Sequence, residues 1–546
     1  AFNRDAIAML RKKKKREAKP FAVMARNISV VKKIALLSEQ ETHVLKSSQA
    51  PIIILRLNSE SENKYHLPVD LLSPDSRTIG VMLPTSPLHE LLMDPAASDG
   101  LPVFDILVMT SGNQTSEPIC ISIEDALPKL GKIADAFLTH NRRINMRCDD
   151  SVGIMNNNDE FQLLRRSRGY SPAPLFIHKP VYKSVLAMGS ELKNTVSLVF
   201  NNKLIISPHV GDLFSPETRI FFDETLNFFD SFFDVRPECI AVDMHPDIYP
   251  TQKGIKLAQE RGVPVVRVQH HRAHALACLV DNGCDSGLVL CFDGTGYGED
   301  GTIWGAELLE VKGSDCRRLA TFAPSPLPGG DSAVLHPVRQ LFARWLSVGC
   351  DISVEIRRRF CVTDEELSIW KMQCFEKINT PLTRAAGRLF DALSAYLQLS
   401  PPRISYEAQA AIRLETAAAC SSNNLKSALP FPFTISEQNG LCIIDWDKAF
   451  VILLDHAQEE KNVNECAFAF HDSIARACIA MVEYAACFSN LRTVGLTGGV
   501  FTNRILCGLI RTSLLKKGFE VIMHRQIPLN DGGISAGQSV VAGWGG

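Results

Sequence analysis

Three histidines stand within five residues in the stretch VQHHRAHALA, residues 268 to 277. His270 and His274 are four apart, so a helix there puts them on one face, where they could hold one cation between them. A polar helix start accounts for the spacing equally well. Metalloprotease helices add a Glu beside the first His, and this stretch has Arg272 and no such base. Two aspartates widen the set, because Asp293 and Asp531 each precede glycines. A lone strand-end Asp is ordinarily a turn residue. Together the two imidazoles and two carboxylates make a mixed N/O set suited to Fe²⁺, Zn²⁺ or Mn²⁺, with positions open to a nucleotide phosphate.

Glycine turns surround these residues in the sequence. MGSELKNT, DGTGYGEDG and GLTGGVFTNR each follow an apolar strand, and LNDGGISAGQ lies near the end. Glycines at strand ends let backbone amides approach a phosphate, and several such turns facing one cleft would embrace a nucleotide. None matches a Walker or dinucleotide fingerprint, and each alone could be a hairpin. GISAG, residues 533 to 537, fits the GxSxG hydrolase pattern, but that fold needs Asp and His downstream and only QSVVAGWGG follows, so Ser535 reads as structural.

A second constellation combines RKKKKREAKPFAVM, VMTSGNQTSEP and NRRINMRCDDS. Lysine and arginine at this density could clamp phosphates at a pocket wall, Arg by bidentate contacts and Lys as a point charge, with Ser111 and Asn113 adding neutral hydrogen bonds from a strand-end turn. Composition alone favours a solvated basic helix face. A nucleic-acid patch would want interleaved aromatics, which are missing.

The elements that must carry these residues are visible in the periodicity. AIAMLRKKK and VVKKIALL predict helices, and PIIILRL and DILVMTS predict buried strands, which makes the first part α/β. RGYSPAPLFIHKP, residues 168 to 180, has three prolines and no period and reads as a linker. Beyond it SVLAMG, NTVSLVF and KLIISPH predict strands, the last two joined in a hairpin at Asn201 and Asn202. ECIAVDMH, VPVVRVQ, GLVLCFDG and TVGLTGG predict further strands, and helical patterns dominate from about 335 to 490. A chain of 546 residues, 46% apolar and 22% charged, is globular and holds more than one domain. ACIAMVEYAACF is the most apolar helix-like run and is too short and too charged to cross a bilayer. Sixteen cysteines without a CxxC pair argue against a zinc ribbon and a disulfide framework and point to a reducing, cytoplasmic compartment, and the opening AFNRDAIAML lacks the basic region and apolar core expected of a signal peptide. A net charge of −2 makes no global case for nucleic acid.

Several of these segments carry a family resemblance: KREAKPFAVM, IGVMLP with SPLHELL, TSGN, RCDDSV, HHRAH, DGTGYGEDGTIWGAE, ISYEAQAA, GGVFTN and NDGGISAGQ. The chain resembles the carboxy-terminal two thirds of the HypF hydrogenase-maturation carbamoyltransferases. The resemblance implies an α/β protein with a YrdC-like domain over residues 1 to 175, lacking its first strand, followed over 181 to 546 by a two-lobed actin-like ATPase (ribonuclease-H-like) domain similar to tRNA threonylcarbamoyl-transfer enzymes. The family's acylphosphatase and zinc-finger modules have no counterpart in these residues. Ala306 and Ala408 stand where the family usually has glycine.

A two-step transfer is what the resemblance implies. Carbamate, drawn from carbamoyl phosphate, and ATP with Mg²⁺ would form carbamoyl adenylate in the first domain, with Lys14 and Arg16 catalytic and Lys19, Thr110, Ser111, Asn113 and Arg147 binding the nucleotide. In the second domain His270, His274, Asp293 and Asp531 would hold a divalent metal, Fe or Zn. Ser190, Asn194, Gly294, Gly296, Gly498, Gly499 and Asn503 would bind phosphates there, Asp391 and Glu407 the ribose, and Lys193 would neutralise developing charge. The acceptor implied is the C-terminal cysteine of the partner HypE, with neither membrane nor nucleic acid involved. Carbamoyl adenylate hydrolyses in water, so making and using it in one chain protects it. The rival readings are an O-carbamoyltransferase acting on a small-molecule hydroxyl, a tRNA-modifying enzyme, and a nucleotide-binding regulator without chemistry.

Overall fold

The computed structural model of the chain describes residues 1–58, 60–156, 159–422 and 428–545. The chain divides into two compact units, one of Ala1–Arg267 with His524–Gly546 and one of Val268–Met523.

The first unit holds two sheets. One has the strand order Ile106–Met109, Ala22–Ala25, Thr78–Met82, Ile52–Arg56, Val152–Met155 and Phe161–Arg165, with parallel and antiparallel pairs mixed. Val23, Ile53, Leu55 and Val81 are its fully buried centre. The helices Arg4–Lys13 and Ile28–Ile34 and the strands Ile52–Arg56 and Ile106–Met109 fall where the apolar periodicity places them.

The other sheet of this unit begins within the proline-rich stretch. Leu175–Phe176 pairs antiparallel with Lys203–Leu204, so part of the expected linker is a strand; Leu175 and Phe176 keep the amides that the flanking prolines lack. Val185–Ala187, Ser197–Phe200 and Lys203–Ile206 form an antiparallel meander, and Asn201 takes the left-handed conformation its hairpin needs, φ 51°. Cys239–Asp243 runs parallel to Val185–Ala187, and Val265–Val268 follows at the edge.

The second unit repeats this topology. Ser286–Phe292, Ala306–Lys312 and Asp315–Phe322 form an antiparallel meander, and Thr493–Thr497 and Glu520–Met523 lie parallel on the far side of its first strand. The repetition of one meander-plus-parallel arrangement is the two-lobed design. The segment read as helical from 335 to 490 also contains the hairpin Thr434–Gln438 and Leu441–Asp445. Asn439 and Gly440 both have positive φ at its tip, 53° and 74°, so a turn of the Asn-Gly kind overrides the helical surroundings. Among the described residues no helix is long and apolar enough to cross a membrane.

Candidate active and metal sites

In the first unit the basic run ends the helix Arg4–Lys13, and its side chains are not uniformly solvated. Lys14 is buried, and its Nζ donates to the carbonyls of Ser111 at 2.7 Å and Asn113 at 3.1 Å. Arg11 and Arg16 both lie over the Phe21 ring, at 4.7 and 4.6 Å from its centroid. Arg16 Nε donates to the Lys19 carbonyl at 3.0 Å and its Nη1 to Thr110 Oγ1 at 3.4 Å. Lys12 and Lys15 are exposed, so the solvated reading of the run holds for them and fails for Arg11 and Lys14. Burial, then the neighbouring Arg16, pushes the Lys14 ammonium down to about 8. Burial, then Arg11, takes Arg16 to about 10.

The opposing turn is internally braced. Ser111 Oγ donates to Asn113 Oδ1 at 2.8 Å, and Asn113 Nδ2 to the Glu117 carbonyl at 2.7 Å. Lys14, Arg16, Thr110, Ser111 and Asn113 are therefore one assembled group. Lys19 is exposed and reaches it through its carbonyl. Arg147 is engaged differently: its Nε donates to the Ile119 carbonyl at 3.0 Å, its Nη1 pairs with Glu224, and it lies over Phe221. Sequence reasoning missed that pairing, which joins residues 77 positions apart. It also missed the charge cluster of Asp149, Arg165 and His209. Burial raises the Asp149 carboxyl while Arg165 pulls it down, and burial, then Arg165, Lys193 and Lys19, keeps His209 neutral.

Elsewhere in the same unit two distant glycine turns are stitched together. Gly189 N–H donates to Gln538 Oε1 at 2.9 Å, and Gln538 Nε2 returns a bond to the Gly189 carbonyl at 3.2 Å. Ser190 Oγ lies 3.1 Å from Asp531 Oδ2. Thr195 Oγ1 donates to the Gly532 carbonyl at 2.9 Å and is 2.7 Å from Ser535 Oγ, which makes Ser535 a buried strut. Asn194 spends its amide inside the turn, donating to the Met188 and Ser190 carbonyls. Lys193 has φ 46°, and its N–H donates to Asp212 Oδ1 at 2.9 Å.

In the second unit His270 opens the helix His270–Asp281, capped by the Gln269 side chain, which accepts from Arg272 N–H at 2.9 Å. His274 Nε2 is 3.0 Å from Asp293 Oδ2, and His270, His274 and Asp293 offer ligand atoms within 4.8 Å of one another. All three are buried. Burial alone would raise the Asp293 carboxyl, but the His274 hydrogen bond and the nearby imidazoles hold it below the usual carboxylate range. A buried imidazole pair beside an ionised carboxylate has the donor chemistry of a divalent transition-metal site.

The glycine turns fit around this trio with little spare room. A Cβ on Gly296 would sit 2.3 Å from His271 Cε1, and one on Gly499 would sit 3.2 Å from Asp293 Oδ1. Gly498, at φ 99°, leaves no space for a Cβ, which would stand 2.2 Å from the Phe292 carbonyl oxygen. Gly387 N–H donates to the Asp293 carbonyl at 3.1 Å, so the start of the helix Ala386–Tyr396 touches the turn containing Gly294. Asp391 on that helix is buried and paired with Arg388 at 2.9 Å. Glu407 is exposed, and Ala408 beside it takes a left-handed φ of 61°, a conformation that ordinarily favours glycine. Asn503 caps Leu506 N–H at 3.0 Å and meets His471 Nε2 at 2.8 Å, so its side chain is spent locally.

One charged network had no sequence signal of its own. Arg318 lies 3.8 Å over the Trp304 ring, donates to Glu307 at 2.6 Å and to Asp300 at 2.9 Å, and so pins the loop that follows the Gly296 turn. Its arginine arrives from the next strand of the meander.

Residues 1–167 match the family described as "Telomere recombination", of the Sua5, YciO and YrdC group. Residues 180–281 match the "HypF Kae1-like domain", and 289–538 match "Carbamoyltransferase, Kae1-like Domain, second subdomain". Carbamoyltransferase HypF2 of Cupriavidus necator is 36% identical over 99% of this chain and 69% of its own. Carbamoyltransferase HypF of Synechocystis is 34% identical over 98% of this chain and 68% of its own. A crystal structure of full-length HypF in the phosphate- and nucleotide-bound form superposes on all of this chain and 68% of that one, with TM-score 0.90 and 34% identity. That of T. kodakarensis HypF covers all of this chain and 69% of that one, with TM-score 0.89 and 31% identity. With both its domains matched in order and its length covered throughout, this chain belongs to the HypF carbamoyltransferases.

Proposed function

We propose that this carbamoyltransferase works in two steps, over residues 1–175 and then 181–546. In the first, a carbamate oxygen attacks the α-phosphorus of Mg-ATP, pyrophosphate leaves, and carbamoyl adenylate forms. Lys14 and Arg16 carry the cations for the phosphates, and the turn of Thr110, Ser111 and Asn113 positions the nucleotide. In the second, a cysteine thiolate at the C-terminus of HypE attacks the carbamoyl carbon and AMP leaves. His270, His274 and Asp293 would hold a divalent iron or zinc ion, which would polarise the adenylate and ease departure of AMP. The turns at Gly294, Gly296, Gly498 and Gly499 offer backbone amides to phosphates, Asp391 and Glu407 take the ribose, and Lys193 offsets charge that develops at the leaving group.

The observation that carries this reading is the buried trio of His270, His274 and Asp293 in one unit, with the braced Lys14 and Arg16 group in the other. A trio that could hold a metal and a cationic group that could hold phosphates both suit an activate-then-transfer reaction. The sixteen cysteines are all unpaired, which suits a reducing cytoplasm. The test supplies the purified chain with ATP, carbamate and either a cysteine-ended HypE-tail peptide, a serine-ended copy or tRNA. Carbamoylation of the cysteine peptide alone, read by mass, is expected; modification of the serine copy or of tRNA in its place overturns the thiol acceptor.

A further inference from the structure

Asp293 is held from several directions, all within the second unit. Gly294 N–H donates to its Oδ1 at 2.7 Å, while its Oδ2 faces His274. The Asp293 carbonyl accepts from Gly387 N–H at 3.1 Å, and the Asp293 N–H donates to the Gly305 carbonyl at 2.9 Å. That same Gly305 carbonyl accepts from Ala386 N–H at 3.0 Å. Gly305 therefore ties the turn after Ser286–Phe292 to the start of the helix Ala386–Tyr396. The approach is too close for a side chain, since a Cβ on Gly305 would stand 2.7 Å from the Asp293 carbonyl oxygen and 2.8 Å from Ala385 Cβ.

Gly305 is bonded on its N–H side as well. It donates to Glu307 Oε1 at 3.3 Å, and Glu307 Oε2 accepts from Arg318 Nε at 2.6 Å. The Glu307 side chain is fully buried, and an ionised pair in such a place adds little stability over apolar residues of the same size, because both groups lose their water. A β-bulge puts the arginine there. The register between Ala306–Lys312 and Asp315–Phe322 shifts between Leu308 and Leu309, so that Glu307 opposes Thr321 while Leu309 opposes Arg318. Without the extra residue Arg318 would face the other side of the sheet from Glu307. The remaining donors of Arg318 go to Thr321 Oγ1 and Asp300 Oδ2, both at 2.9 Å, and Asp300 Oδ1 accepts from Trp304 Nε1 at 2.8 Å. Residues 300 to 305 are thus braced from one arginine and one buried carboxylate.

We infer that Glu307 is a positioning residue for the metal trio: by accepting from Gly305 N–H and Arg318 at once, it fixes the Gly305 carbonyl that holds the Asp293 main chain, and so sets where the Asp293 carboxylate stands against His270 and His274. The inference rests on the proposed role of that trio as metal ligands. Two donors converge on Glu307, and a carboxylate meets them with an oxygen each. A glutamine at 307 keeps the size and one oxygen but turns an amide NH₂ toward the other donor, so Glu307→Gln breaks one of the two bonds with the least change of shape.

The experiment measures Zn²⁺ affinity of the metal-free full chain by competition with a chromophoric chelator, with urea unfolding alongside. Glu307→Gln is expected to weaken Zn²⁺ binding by about tenfold, the lower end of the range for groups that orient metal ligands. Arg318→Lys, which keeps the cation and gives up the fork to Asp300 and Thr321, makes the same test if the glutamine variant folds poorly. The comparison is Glu465→Gln. Glu465 is also buried in this unit, and its bonds to Ser421 and Ser422 lie outside residues 293 to 318, so that variant should lose stability and keep its Zn²⁺ affinity. Zn²⁺ affinity unchanged in Glu307→Gln but lost in Asp293→Ala overturns the positioning role and leaves the ligand reading standing. An equal loss in Glu307→Gln and Glu465→Gln also overturns it, by assigning the effect to stability alone. Unchanged affinity in Asp293→Ala overturns the ligand reading and the inference with it.

Discussion

Asp293 Oδ2 and His274 Nε2 stand 3.0 Å apart, one at the end of the strand Ser286–Phe292 and the other in the first turns of the helix His270–Asp281. Helix and strand pack directly on each other, which holds the two side chains in register. Removing Asp293 should therefore cost metal. Asp293→Ala is expected to leave the chain with no stoichiometric transition metal after gel filtration, by elemental analysis, where the parent chain retains about one. Equal retention by both would place the ion elsewhere.

The lowered Lys14 ammonium predicts a pH dependence. Burial favours the neutral amine, so the free site loses its cation as pH rises through about 8, well before an ordinary lysine would. Phosphate affinity needs the charged form. First-domain affinity for a non-hydrolysable ATP analogue should thus be level below pH about 8 and fall above it, by up to about tenfold per unit. Lys14→Arg should abolish the fall, and a flat profile in the parent chain would show that Lys14 stays charged.

Gly498 tests the geometry of the second-unit turns. Its φ of 99° and the 2.2 Å approach of a Cβ to the Phe292 carbonyl leave alanine both strained and crowded. Gly498→Ala should destabilise the chain by at least about 2 kcal/mol in urea unfolding. Gly499→Ala, whose Cβ would press at 3.2 Å on Asp293 Oδ1, should disturb metal binding more than stability.

Ser535 occupies a hydrolase-like pattern, yet its hydroxyl faces Thr195 at 2.7 Å inside the first unit. Ser535→Ala should retain full carbamoyl transfer and lose about 1 kcal/mol of stability, the usual worth of one buried hydrogen bond. Loss of transfer in a folded Ser535→Ala chain would give Ser535 a chemical role.

Much of this was legible in the residues because it is local. The strands were readable from apolar runs, the helix of His270 and His274 from its spacing, and the glycine turns from their place after strands. Ala408 has the left-handed conformation that glycine favours, which its residue type alone does not announce. What stayed hidden depends on long-range pairing. Glu224 against Arg147 and Arg318 between Trp304 and Glu307 join groups whose partners no sequence pattern names. Asn503 and Asn194 have the right chemistry for a phosphate turn, but backbone groups and His471 claim their amides first. The hairpin at Asn439 and Gly440 carried a readable turn signal that the helical periodicity around it outweighed.

The central claim is a division of labour, and one paired measurement addresses it. Arg16→Ala and His274→Ala chains are given ATP and carbamate, the latter supplied by high bicarbonate and ammonia, and scored for pyrophosphate release and for mass gain on a cysteine-ended HypE peptide. Arg16→Ala removes a charge-assisted phosphate contact worth about 2 to 3 kcal/mol in a closed site and should stop both readouts. His274→Ala should release pyrophosphate at nearly the parent rate and carbamoylate no peptide. A folded His274→Ala chain that fails to release pyrophosphate as completely as Arg16→Ala does would contradict the two-site relay.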